Sequence, residues 1–322
     1  MNSINHYREE FLAHLRTSVA VKEPRNLYEP IDYILQLGGK RLRPVLTLIA
    51  ADLFGGDYRK ALPAAAAVEV FHNFSLVHDD IMDNASLRRG KATVHQKWNS
   101  NIAILSGDAM LICAYRLLES YPPDTFAALA KLFSKTALEV CEGQQWDMDF
   151  ETQAQVSIPQ YLQMIRYKTA VLVGAALQMG AIIAGASIEN QRLIYDFGVT
   201  IGLAFQLQDD YLDAFGDEDF GKKIGGDILE NKKTILYLKA LDLADEAQRN
   251  TLIAQYTTSE ENDEKIAIVT QLFRQTGAAE AVRDEITRTT DEALNLLEHI
   301  TISDENRAYL KQFALELMNR KV

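Results

Sequence analysis

Residues 61–83 read ALPAAAAVEVFHNFSLVHDDIMD, an apolar run that ends in three aspartates. Its length, its alanines and the lack of period-two alternation predict one long helix. Asp79 and Asp83 stand four residues apart, so a helix projects both from one face. Carboxylates crowded among apolar residues repel one another and lose hydration. A hard cation relieves both costs, and Mg²⁺ typically takes one or two carboxylates plus phosphate oxygens. Taken alone, the cluster also reads as a solvated acidic helix end.

The pattern recurs. Asp209-Asp210-Tyr211-Leu212-Asp213 closes a second apolar helical stretch, expected over 196–214. The same spacing twice, each time with apolar flanks, argues against two accidental surface ends. Two such clusters facing each other would hold several Mg²⁺ ions around a diphosphate.

The rest of the chain fits a helical protein with polyanionic ligands. Of 322 residues, 48% are hydrophobic and only 7 are proline, which supports helices throughout. The net charge, 33 − 45 = −12, argues against nucleic acid and anionic membrane as partners. Two cysteines, Cys113 and Cys141, make neither a disulfide framework nor a zinc spacing, and suit a reducing, cytoplasmic setting. The first ten residues lack the apolar core of a signal peptide. Residues 169–187, TAVLVGAALQMGAIIAGAS, approach the ~20 needed for a membrane span. With Gln178 at the centre and Lys168 adjoining, they read instead as a buried central helix, and no membrane span is expected.

Further helices are expected near 31–37, 46–53 and 102–119, separated by Gly38-Gly39, Gly55-Gly56 and Pro122-Pro123. Pro24 and Pro30 are read as preceding the first of these, and residues 84–92 as a polar turn. Residues 216–227, GDEDFGKKIGGD, read as a flexible basic loop, and 258–264 as a charged connection. No interdomain linker stands out, so residues 1–322 are expected to form a single all-helical domain.

Cations gather in two places. GGKRLRP (38–44) puts Lys40, Arg41 and Arg43 into a turn where glycines let a ligand approach the backbone. Arg88 and Arg89 follow the first acidic motif. Each basic group alone reads as a helix cap or as surface charge; both flanking acidic clusters suggest alternating sites for two diphosphates. His72, seven residues before Asp79, shares its helical face and is placed for a phosphate contact. Glu69-x-x-His72 also has the spacing of helical di-iron sites, but no second copy exists. Lys168-Thr169 and Gln206 supply polar groups at the border of the proposed cavity.

In order, GGKRLRP (38–44), LVHDDIMDNASLRRGKATVH (76–95), FQLQDDYLD (205–213) and GKKIGGDILENKKT (221–234) resemble the trans-isoprenyl diphosphate synthases, the polyprenyl synthetase family. The resemblance implies an antiparallel helical bundle around a deep central cavity and a homodimer; in this chain the apolar helix over 102–118 is the candidate dimer face. It assigns Asp79, Asp83 and Asp209 to Mg²⁺, three ions with substrate bound, with Asp80, Asp210 and Asp213 supporting them. It assigns Arg88, Lys168, Lys223 and Lys232 to the allylic diphosphate. Isopentenyl diphosphate falls to Lys40, Arg43, His72 and Arg89, with Arg41 as an addition. Thr169 and Gln206 would line the path of the allylic cation, and the loop 216–227 would close over the substrates. The implied activity is head-to-tail condensation in isoprenoid biosynthesis, giving a trans short-chain prenyl diphosphate.

In this family, bulky residues four and five positions before the first motif act as a floor for the growing chain. Here those positions hold Ser75 and Phe74, and DDIMD has no insertion. One aromatic favours a C20 product, geranylgeranyl diphosphate, over C15 farnesyl diphosphate. On an ideal helix, however, Ser75 lies beneath Asp79 while Phe74 points about 140° away, which leaves Phe71 as an alternative floor. Two other readings compete with synthesis. A class I terpene cyclase lacks a second-substrate site, against Lys40, Arg43 and Arg89; a non-catalytic partner subunit would not need both aspartate motifs intact.

Overall fold

The computed structural model describes residues 1–216, 224–258 and 262–318. Their regular structure is almost entirely helical: α1 (Ile4–Ser18), α2 (Arg25–Gln36), α3 (Leu42–Leu53), α4 (Leu62–Met82), α5 (Val94–Lys97), α6 (Ser100–Leu118), α7 (Pro123–Thr152), α8 (Ile158–Ile165), α9 (Val171–Ile183) and α10 (Ile188–Phe215). These are followed by α11 (Gly226–Leu229), α12 (Ile235–Leu243), α13 (Glu246–Thr257), α14 (Asp263–Gln275), α15 (Ala278–Glu298) and α16 (Asp304–Met318). Two short strands, β1 (Leu87–Arg88) and β2 (Lys91–Ala92), pair as a hairpin where the sequence suggested only a polar turn.

Contacts gather the chain into two compact units: residues 1–135 with 175–192, and residues 136–174 with 193–322. In the first, α4 packs along α6 and against α3. The alanines at 64–67 are fully buried, so small side chains bring these neighbours close to the α4 backbone. α3 is buried on nearly every side, with Val45, Leu48, Ile49, Ala50 and Ala51 at 1% exposure or less. In the second, α12 packs on α15 and α14, burying Leu236, Leu238, Val269, Phe273 and Val282. Ser157 and Gln160 form a reciprocal capping box that starts α8.

Three sequence boundaries need correction. α2 starts at Arg25 and carries Pro30 inside it, because only Pro30 itself lacks an N–H and the buried Ile31, Ile34 and Leu35 hold the turn. α10 begins eight residues earlier than expected, at Ile188. The apolar stretch 169–187 is not one rod: a π-turn at Arg166–Ala170 precedes the 13-residue α9. As expected, α9 is a core helix, with Ala175, Ala176, Leu177, Met179 and Ala181 fully buried.

Among the described residues α6 is the helix long and apolar enough, by length and composition, to cross a membrane. Its apolar residues serve two faces. Ala103, Met110 and Ala114 are buried, whereas Leu105 and Ile112 are each 60% exposed and Ile104 is 44% exposed.

Candidate active site

The first acidic motif occupies the last turn of α4, with Asp83 as its C-cap. This is the negative end of the helix dipole, where added carboxylates are disfavoured and cations are welcome. The middle residue, Asp80, is fully buried and accepts from Arg88 Nε at 3.0 Å and Nη2 at 2.5 Å. The hairpin makes this possible: Arg89 and Gly90 take φ of 53° and 72°, folding β2 back on β1. Arg89 then donates through Nη1 to the Gly38 carbonyl. At Gly39 a Cβ would stand 2.7 Å from Arg89 Cζ, so the paired glycines make the seat for this guanidinium.

Arg43 Nη1 lies 3.4 Å from His72 Nε2. The His72 imidazole titrates well below its ordinary range, first because it is buried and then because Arg43, Arg89, Arg41 and Arg88 surround it. A neutral imidazole among guanidinium groups makes a cradle that favours an anion. Lys40 is exposed at the same turn.

Arg41 requires a correction. It is not presented to the cradle but is 5% exposed, in an ion pair with Glu69, with Nη2 donating to the Leu35 carbonyl at 2.5 Å. Asn73 Nδ2 donates to the same Glu69 Oε1 at 2.9 Å. The Glu-x-x-His spacing is thereby explained without a metal: Glu69 faces inward to Arg41, and His72 faces Arg43. Sequence reasoning missed Asn73 because a single buried amide leaves no pattern.

Along α4, Ser75 Oγ donates back to the His72 carbonyl at 2.9 Å. Phe71 and Phe74 lie on another face, their ring centroids 5.5 Å apart. Phe71 is 1% exposed and Phe74 9%.

In the second unit the π-turn carries Lys168, which meets α7, and Thr169, which meets α10. α7 passes so close that a Cβ on Gly143 would overlap the Lys168 backbone. Lys168 Nζ pairs with Asp147 at 2.5 Å. Thr169 Oγ1 donates to Gln206 Oε1 at 3.4 Å, and Gln206 Nε2 donates to Asp210 Oδ1 at 3.1 Å. Asp210 also accepts from the Tyr161 hydroxyl and, at 3.5 Å, from the Ile235 N–H. Burial, then the charge of Asp227, pushes the Asp210 carboxyl up to about 7 despite these bonds. Asp213 Oδ2 accepts from the Asp227 N–H at 3.0 Å, at the start of α11.

These groups line a cavity of ≈ 150 Å³ that takes in Lys168, Thr169, Gln206, Asp210 and Lys232, with Phe150, Met164 and Ile165 as apolar wall. Lys232 pairs with Glu230 at 2.7 Å and lies 3.7 Å from Asp227. Burial alone would depress its ammonium, but these carboxylates raise it overall. Its neighbour Lys233, also at the cavity wall, donates to the carbonyls of Phe150, Glu151 and Gln153 at 2.7–3.1 Å, closing the end of α7. Sequence reading also missed Asp147, Tyr161 and Lys233, whose roles rest on long-range partners. Lys223 and most of the loop 216–227 lie outside the described residues.

Among the described residues no three His, Cys, Asp or Glu side chains form a ready cage for a metal. Aspartates at two helix ends nevertheless suit Mg²⁺, which leaves most of its octahedron to water and substrate phosphate.

Residues 24–273 match the family model described as polyprenyl synthetase. The chain is 36% identical over 321 residues to a short chain isoprenyl diphosphate synthase of Methanothermobacter thermautotrophicus, covering 98% of each. It is 38% identical over 301 residues to a geranylgeranyl pyrophosphate synthase of Geoglobus acetivorans, covering 93% of this chain and 92% of that one. A crystal structure of a geranylgeranyl pyrophosphate synthase superposes with a TM-score of 0.96 at 54% identity, covering all of both chains. With both aspartate motifs at helix ends and the family match spanning them, the chain belongs to the polyprenyl synthetase family.

Proposed function

We propose that this chain is a Mg²⁺-dependent prenyltransferase that adds isopentenyl diphosphate to an allylic diphosphate and releases chiefly geranylgeranyl diphosphate. The observation that carries the reading is a pocket holding Lys168, Thr169, Gln206, Asp210 and Lys232, together with a separate arginine cradle around His72. A cyclase has no use for the second anion site.

In this reading the arginine cradle of Arg43, Arg89 and His72, with Lys40, holds isopentenyl diphosphate. Lys168, Lys232, Lys223 and Arg88 take the charge of the departing allylic diphosphate. Asp79, Asp83 and Asp209 are the Mg²⁺ ligands, for three ions, and Asp80, Asp210 and Asp213 orient the motifs. When bound, Mg²⁺ neutralises the diphosphate and eases its departure. As the allylic C–O bond breaks, the Thr169 hydroxyl and the Gln206 amide oxygen face the developing cation, and the apolar wall excludes water. The isopentenyl double bond forms the new C–C bond. A proton then leaves to the released diphosphate, completing a trans double bond. The exposed face of α6 around Leu105 and Ile112 is covered by a second copy in a homodimer, which accounts for so much apolar surface on one helix.

Incubation of the purified chain with isopentenyl diphosphate and each short allylic starter tests this. A C20 product is expected. A C15 end product would make it a farnesyl diphosphate synthase, and turnover without isopentenyl diphosphate a cyclase. Inactivity of the chain alone would make it a partner subunit.

A further inference from the structure

We infer that His78 is a specificity-determining residue, its imidazole propping the Phe74 ring and thereby setting how far the growing prenyl tail can descend. This rests on the chain-elongation reading above.

Positions 71, 74 and 78 follow one another at helical spacing of three and four, so Phe71, Phe74 and His78 form one stripe of α4. His72, Ser75 and Asp79 form another. Phe74 sits within its stripe between two rings: its centroid lies 5.5 Å from Phe71 and 4.8 Å from His78, the latter at 65°. On the Phe71 side nothing can yield, because Phe71 is 1% exposed and abuts Phe133, also 1% exposed, at 5.2 Å. The freedom of Phe74 is therefore decided by His78.

His78 is itself pinned. Its Nε2 lies 3.1 Å from the Ile104 carbonyl of α6 and 4.0 Å from Asp108 Oδ1. A carbonyl can only accept, so Nε2 carries the hydrogen and the tautomer is fixed. α6 makes room for the ring with a glycine: a Cβ on Gly107 would overlap the imidazole. The α4–α6 contact therefore holds the imidazole, and the imidazole holds the edge of the Phe74 ring. Nothing in the motif reading required a histidine here.

The test uses the full-length enzyme with isopentenyl diphosphate and a C15 allylic starter, with chain lengths read by chromatography after dephosphorylation. His78→Ala is expected to raise the C25-to-C20 ratio about tenfold or more, the scale at which apolar pockets discriminate small size differences. His78→Phe, which keeps a ring, should retain the parent ratio. In the double variant with Phe74→Ala, removing His78 should add little, since both changes open the same space. If His78→Ala loses the parent helical signal, His78→Gln is read in its place; its amide Nε2 can donate to the Ile104 carbonyl as the imidazole Nε2 does, it lacks the ring, and it should lengthen the product likewise. An unchanged ratio in the folded variant, a fully additive double variant, or equal lengthening by His78→Phe would each overturn the assignment. A parent enzyme that makes no prenyl diphosphate would strike the underlying reading instead.

Discussion

The two aspartate motifs share a spacing and a position at a helix C-terminus, yet their middle residues are held in opposite ways. Asp80 is fully buried against a cation, the Arg88 guanidinium. Asp210, 4% exposed, is held by a phenol, an amide and a backbone N–H, and its carboxyl rises to about 7. One motif is anchored by charge and the other by neutral hydrogen bonds. The first arrangement sets a carboxylate directly against a guanidinium. The second holds the geometry with hydrogen bonds while burial and the charge of Asp227 raise the carboxyl. Identical letters thus carry different electrostatics, and the difference comes from partners outside the motif.

Outer aspartates should not share this difference. Asp79→Ala and Asp209→Ala are each expected to lower turnover at least about 10²–10³-fold, the scale for losing one stabiliser of developing charge, with helical circular dichroism unchanged. A large loss in one and near-normal turnover in the other at saturating Mg²⁺ would break the symmetry of the outer positions.

Stability against pH separates the middle aspartates. The folded Asp210 carboxyl titrates above its ordinary 3.8, so between about pH 4 and 7 the folded state holds more protons than the unfolded one. Its contribution to stability therefore falls as pH rises through that window and levels off above it. Asp210→Asn removes the slope. Relative to the parent, the variant should gain roughly 2–4 kcal/mol across the window, measured as a shift in Tm in metal-free buffer. Parallel Tm curves for parent and variant would erase the contrast drawn here. Asp80→Asn, by comparison, should lose stability at neutral pH because Arg88 is left without its carboxylate.

A smaller effect distinguishes the cation sets beside each motif. Arg43→Ala should raise the KM for isopentenyl diphosphate about ten- to hundredfold, as expected for losing one charge-assisted contact, and leave the allylic KM nearly unchanged. Lys232→Ala should do the reverse. Equal shifts in both constants from either variant would show that the two cradles do not divide the substrates.

Much of this was legible before any coordinates. Helical periodicity placed α4 and α6 within a residue or two, because each is a long apolar element bounded by proline or polar punctuation. The second acidic helix was found, but its first turns were missed because Ile188 to Tyr195 mixes charge with apolar residues. Both motifs were visible because spacing of four is a local property. What stayed hidden was long-range. Nothing near Arg41 says that it will face Glu69, 28 residues on, rather than a substrate. Nothing near Asp210 announces Tyr161, 49 residues away. The π-turn at Lys168 was illegible too, since the close approach of Gly143 to its backbone comes from a different helix.

The hook made by Lys233 has a kinetic side. Its ammonium reaches carbonyls 80 to 83 residues back along the chain, so the end of α7 and the segment bearing Lys232 come together only when that whole loop closes. Helices form from near neighbours, whereas closing so long a loop costs entropy before any contact rewards it. During refolding, Lys232 should therefore reach its place in the pocket after most of the helical content has returned. Helical signal and catalytic competence would then recover on separate clocks, the second set by loop closure.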